Sequence, residues 1–126
     1  MSGDRDATEL VIRVDPTDDG PVVGLGGDLD MATTPQLDGC LAGIARRRPD
    51  RIVVDLAELR FCDSTGLTTF VRWSRQCSDA GVQLLLRAPT PQLRRLLEIT
   101  RFDSLLDVDS DGAVTGGDSD ATVTEG

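Results

Sequence analysis

Apolar residues recur along the chain at two alternating periods, every second position and then every third and fourth. Leu10, Ile12 and Val14 alternate with Val11 and Arg13, which is the period of a strand. Asp15-Pro16-Thr17-Asp18-Asp19-Gly20-Pro21 then supplies turn residues, so Val22 to Leu25 is predicted as the second arm of a hairpin. Thr33, Thr34 and Pro35 read as a cap and first turn, and Leu37, Leu41, Ile44 and Ala45, with Cys40 beside them, mark one face of a helix that ends before Pro49. Ile52, Val53, Val54 and Leu56 form a short β-branched run of the length expected for a buried strand. Leu67, Phe70, Val71, Ser74 and Cys77 return to helical spacing, closed by Asp79-Ala80-Gly81 with Gly81 available for a left-handed cap. Val82 to Leu86 is the next strand. Thr90-Pro91-Gln92 opens a helix with Leu93, Leu96, Leu97 and Thr100 inward, and Phe102 to Val108 offers a final short strand over Leu105 to Val108.

The predicted order is β-β-α-β-α-β-α-β, a single α/β domain on a mixed sheet with one antiparallel hairpin and parallel strands joined by crossover helices. Its bounds are residues 8–108, preceded by a polar lead-in, 1–7, and followed by an acidic tail, 109–126, whose Gly, Asp, Ser and Thr cannot bury enough surface to fold. Partners and ligands of such sheets meet the loops at the carboxyl ends of the strands. Two strand-to-helix segments, Asp28 to Thr33 and Asp63 to Gly66, are expected together at that end.

Charge and composition narrow the function. The formal net charge of −9 is uneven: residues 1–101 carry 15 acids and 13 arginines, and residues 102–126 carry seven acids and no base. A nearly neutral body with three phenylalanines and one tryptophan has neither the basic stripe nor the stacking surface for direct nucleic-acid binding. Arg46-Arg47-Arg48 answers a helix C-terminus. The absence of histidine removes Ser-His-Asp and Cys-His catalysis and histidine zinc sites. Three widely spaced cysteines, Cys40, Cys62 and Cys77, in apolar settings read as reduced, largely buried thiols. No leader pattern opens the sequence and no apolar run reaches the length of a membrane span, so a cytoplasmic protein that is no enzyme and holds no cofactor is expected.

The candidate chemistry sits in Phe61-Cys62-Asp63-Ser64-Thr65-Gly66-Leu67. Ser64 falls at a helix N-terminus, where unpartnered N–H groups and the macrodipole favour an anion. Taken alone, the turn is explained by Asp63 or Ser64 acting as an N-cap. Gly24-Leu25-Gly26-Gly27-Asp28-Leu29 fails as a dinucleotide fingerprint, because Leu29 stands where a glycine is required. Asp28 and Asp30 have the spacing of an acid–base or metal pair, and equally of loop residues and caps. Asp107 to Asp118 has the spacing of a calcium loop, with Asp118 in place of the usual glutamate and no room for the exiting helix.

Gly27-Asp28-Leu29-Asp30 with Thr33, a strand ending in Val54-Asp55-Leu56, and the Phe61–Leu67 turn together resemble the STAS domain family, in particular the bacterial anti-sigma factor antagonists, over residues 8–108. The resemblance implies a partner switch. The unmodified protein binds an anti-sigma factor that is also a serine kinase and frees its sigma factor; phosphorylation at the position matching Ser64 ends binding, and a serine phosphatase restores it. It also implies that Asp28, Asp30 and Thr33, with Asp63, Ser64, Thr65 and Gly66, touch the kinase. A monomer or weak dimer is expected. The family usually ends in a further helix, which the tail composition here does not match. Thr65 adjoins the acceptor position as a second hydroxyl. Two other classes are compatible with the residues: a scaffold or sensor of the same family within a larger assembly, and a calcium- or redox-responsive regulator resting on the tail or the cysteines.

Overall fold

The computed structural model describes residues 9–109. Five strands form one sheet in the order β1-β2-β3-β4-β5: β1 (Leu10–Thr17), β2 (Gly20–Leu29), β3 (Arg51–Cys62), β4 (Gln83–Arg87) and β5 (Asp107–Asp109). β1 and β2 are antiparallel, and β2, β3, β4 and β5 are mutually parallel. The crossovers are α1 (Thr34–Ala45), α2 (Ser64–Asp79) and α3 (Pro91–Thr100), the last followed by a single 3-10 turn, Phe102–Ser104. The element order and the mixed sheet are those expected from the periodicity.

Alternate strand residues and the helix stripes close one core. Val23, Leu25, Ile52, Val54, Leu56, Leu84 and Leu86 meet Leu37 and Leu41 of α1, Leu67, Phe70, Trp73 and Cys77 of α2, and Leu93 and Leu97 of α3. Burying a side chain of this size contributes about 1.5–3 kcal/mol. The intervening strand positions face the other side of the sheet, where Asp55 and Arg87 stand directly across β3 and β4 and form a 2.8 Å ion pair.

Several boundaries differ from the sequence expectation: β2 runs past Leu25 to Leu29, and β4 is Gln83–Arg87 in place of Val82 to Leu86. The hairpin turn contracts to Asp18-Asp19, because Pro16 and Pro21 pair across the two strands instead of forming the turn. β3 continues past Leu56 to Cys62, with two register shifts against β2, between Gly24 and Gly26 and between Gly27 and Asp28. Each shift places an extra β3 residue in the ladder, and the apolar spacing accordingly lengthens from two to three between Leu56 and Leu59. At the end of the domain, Phe102–Ser104 forms the 3-10 turn and the strand is Asp107–Asp109, starting two residues and ending one residue later than the expected Leu105 to Val108.

α1 and α2 are joined by a polar clasp. Asp38 Oδ1 accepts hydrogen bonds from the Trp73 indole N–H and from Arg72 Nη2, both at 2.8 Å. Burial raises the Asp38 carboxyl, but these two donors and the charge of Arg72 outweigh it and hold the group below the ordinary carboxylate value of 3.8. A lowered folded value means the clasp stabilises above the unfolded value and is lost as pH falls through the folded one. Asp38→Asn is therefore expected to flatten the loss of stability below about pH 4. Urea unfolding followed by Trp73 fluorescence between pH 6 and about pH 3 checks this; equal slopes for parent and variant would contradict it.

Candidate functional site

The carboxyl ends of β2 and β3 carry the two strand-to-helix turns side by side. Asp28 pairs with Phe61 and Leu29 with Cys62 in the parallel ladder. The Asp63 N–H then donates to the Leu29 carbonyl at 3.2 Å, so the second turn is hydrogen-bonded to the first. All seven expected residues, Asp28, Asp30, Thr33, Asp63, Ser64, Thr65 and Gly66, lie in these two connected segments.

The first segment begins inside β2, so Asp28 is a strand residue where a loop was expected. Its carboxylate is mostly buried, 8% exposed for the residue, and is held by Arg60, whose Nε and Nη2 both lie 3.2 Å from Oδ1. Arg60 is the extra β3 residue at the second register shift, which places it beside Asp28. Gly27 precedes it at φ +89°, and a Cβ there would run into the Glu9 carbonyl oxygen, so only glycine fits. Asp30 then closes the turn: its Oδ1 accepts from the Ala32 N–H at 2.9 Å and the Thr33 N–H at 3.1 Å. Thr33 holds the N-cap position of α1 without capping through its side chain. Its hydroxyl instead donates to the Asp28 carbonyl and accepts from the Asp30 N–H, each at 2.9 Å, which ties the end of β2 to the start of α1.

The second segment is an N-terminal helix turn. Asp63 is the N-cap of α2 and its Oδ1 accepts from the Gly66 N–H at 2.9 Å, a bond worth about 1 kcal/mol to the helix. Ser64 is the first helical residue and is exposed. Among the described residues its hydroxyl makes no hydrogen bond, and the N–H groups of Ser64 and Thr65 have no acceptor, as the first amides of a helix do. The Thr68 and Thr69 hydroxyls turn back onto the Ser64 and Thr65 carbonyls, both at 2.9 Å. Gly66 is buried where the turns touch: a Cβ there would lie 2.7 Å from Cys62 Sγ and 3.0 Å from both Leu29 Cγ and the Leu29 carbonyl oxygen.

Two apolar side chains project beside these turns, Met31 at 74% exposure and Phe61 at 52%. A cleft of about 290 Å³ adjoins Phe61 and Cys62, lined also by Leu59, Arg60, Thr90, Gln92, Leu93 and Leu96. In the sequence Phe61 stood out only as the first residue of the Phe61–Leu67 turn, and Arg60, Met31 and the cleft did not stand out. The departure from period two between Leu56 and Leu59 is the one sequence signal that marks the bulged end of β3.

All three thiols are free. Burial raises Cys62 most, with the Asp63 charge adding to it, and pushes its pKa up to about 12; burial also raises Cys40 and Cys77. They are thiols, not thiolates, near neutral pH. Asp107 and Asp109 of the calcium-loop spacing lie in β5, paired with Leu85 and Arg87; the rest of that spacing, from Ser110, is outside the described residues. Among the described residues no group of three or more potential metal ligands occurs, and no helix is long and apolar enough to cross a membrane.

This arrangement has relatives. The family model described as "Mlab, STAS domain" matches residues 12–107. The anti-sigma-B factor antagonist of Staphylococcus epidermidis is 31% identical over 91 residues, 72% of this chain and 84% of that protein. An anti-sigma factor antagonist from Mycobacterium paratuberculosis superposes with a TM-score of 0.68 at 24% identity, over 80% of this chain and 86% of that one. The Bacillus cell fate determinant SpoIIAA in its phosphorylated form gives 0.61 at 18% identity, over 80% and 93%. The two solved structures share the fold, the family match spans both site turns, and with the 31% identical staphylococcal relative it shows that the chain belongs to the STAS domain family.

Proposed function

We propose that the chain is an anti-sigma factor antagonist: in its unmodified form it binds an anti-sigma factor serine kinase and releases the sigma factor, and phosphorylation of Ser64 ends the binding until a phosphatase removes the phosphate. The single observation that carries this reading is the Ser64 hydroxyl, exposed and without a hydrogen bond among the described residues, on the first residue of α2 beside the Asp30 turn. Kinship with anti-sigma-B factor antagonists supports the partner class. Asp30, Ser64 and Thr65 offer the polar contacts, while Asp28, Thr33, Asp63 and Gly66 set the shape of the surface. Met31 and Phe61 supply the apolar contact area such docking needs. The chain is the substrate of the phosphoryl transfer, its Ser64 oxygen taking the γ-phosphoryl group of ATP with loss of the hydroxyl proton and release of ADP.

Incubation with a cognate kinase and ATP is expected to add one phosphate, and Ser64→Ala to abolish it. Intact-mass measurement followed by peptide mapping reads the outcome. A Ser64→Ala protein that is still labelled, with the phosphate on Thr65 or beyond residue 109, would remove Ser64 from the reading.

A further inference from the structure

β1 is an edge of the sheet, and its free side is chemically defined. In an antiparallel ladder, opposed residues alternate between bonded and non-bonded pairs. Pro16 stands opposite Pro21; neither has an N–H, so this pair is non-bonded, and by alternation so are Val14 with Val23, Ile12 with Leu25 and Leu10 with Gly27. The backbone groups of Leu10, Ile12, Val14 and Pro16 therefore point away from β2. Gln36 confirms the phase independently, since its side-chain amide donates to the Leu10 carbonyl at 2.9 Å. Among the described residues, what stays open is the N–H of Leu10, the N–H and C=O of Ile12 and Val14, and the C=O of Pro16.

We propose that this edge is a self-association surface, on which a second copy's β1 pairs antiparallel about a two-fold axis at Val14. In that register Val14 exchanges both backbone bonds with its counterpart, and each Ile12 N–H meets a Pro16 carbonyl. Arg13 of each copy stands opposite Asp15 of the other in the closely spaced non-bonded pair, where side chains interact most. Both residues are exposed, and neither has an ion-pair partner among the described residues. Neighbouring registers are worse: an axis at Arg13 or Asp15 sets like charges face to face, and one at Pro16 opposes two residues without an N–H. Val14, 44% exposed in the single chain, becomes covered. A strand pair this short lies below the size of stable interfaces, so the association is weak. It uses the hairpin end of β1 and leaves the Asp28 and Ser64 turns of both copies open, giving a dimer that presents two of them.

Sedimentation equilibrium of the full chain at low salt tests the register. The weight-average mass is expected to rise with concentration towards twice 13.5 kDa. Arg13→Asp and Asp15→Arg should each weaken association about tenfold. An equimolar mixture of the two variants should restore it, because every introduced charge then meets an opposite one. Circular dichroism confirms that both variants are folded. A mass that does not rise with concentration would overturn the surface, and a mixture as weak as its components would overturn the register.

Discussion

Gly66→Ala is expected to destabilise the protein by about 1–3 kcal/mol, the usual cost of forcing a methyl group into a packed site. The sign is the point. In an exposed helix interior the same substitution gains about 1 kcal/mol. Here the new Cβ meets Cys62 Sγ at 2.7 Å, Leu29 Cγ at 3.0 Å and the Leu29 carbonyl oxygen at 3.0 Å. The first two can shift, but the carbonyl is fixed by its bond from Asp63. Adding Cys62→Ala should thus recover only part of the loss. Because Asp63 and Ser64 hang from that bond, the variant should also bind the kinase less well at temperatures where it remains folded. Denaturant midpoints of parent, single and double variants measure this; a Gly66→Ala protein as stable as its parent would mean that the two turns are not packed as described.

The second large effect is on binding and not on folding. Ser64→Asp places a carboxylate next to Asp63, on a turn hydrogen-bonded to the Asp28–Thr33 turn through Leu29, on a surface that must lose water when the partner docks, and like charge in such a place costs several kcal/mol at full strength. One charge and two oxygens deliver less than a phosphate, so about a tenfold loss of kinase affinity is expected. Stability should change by less than about 1 kcal/mol, since an acid in the first turn of α2 suits the helix dipole. Trp73, buried and bonded to Asp38, reports unfolding of α2 against α1. An Asp variant that loses binding only because it is unfolded would contradict the electrostatic account.

The fold was legible where a single period governs a segment. Leu10, Ile12 and Val14, or Leu93 and Leu97, face one way because of strand and helix geometry alone. The placement of the two site turns at one end of the sheet followed from strand direction. What eluded the sequence arises where one segment's geometry is set by another. Pro16 and Pro21 read as turn residues, yet opposite each other in a ladder they need no N–H and stay in the strands. The register shifts that bring Arg60 to Asp28 depend on β2 as well as β3. Trp73 and Thr69 fall outside the apolar stripe read for α2; both are buried, and each finds a polar partner, Trp73 in Asp38 and Thr69 in the Thr65 carbonyl. Gly66 stood out only through its place in a motif, and its packing against Cys62 and Leu29 gives the physical reason for it.

The proposed switch is tested most directly by calorimetric titration of the cognate anti-sigma factor kinase with unmodified protein and with protein stoichiometrically phosphorylated on Ser64, both checked by circular dichroism and by thermal unfolding. The account predicts tight binding of the unmodified form, a loss of roughly a hundredfold or more on phosphorylation, and spectra and melting temperatures that barely differ. Equal affinities for the two folded forms would contradict it.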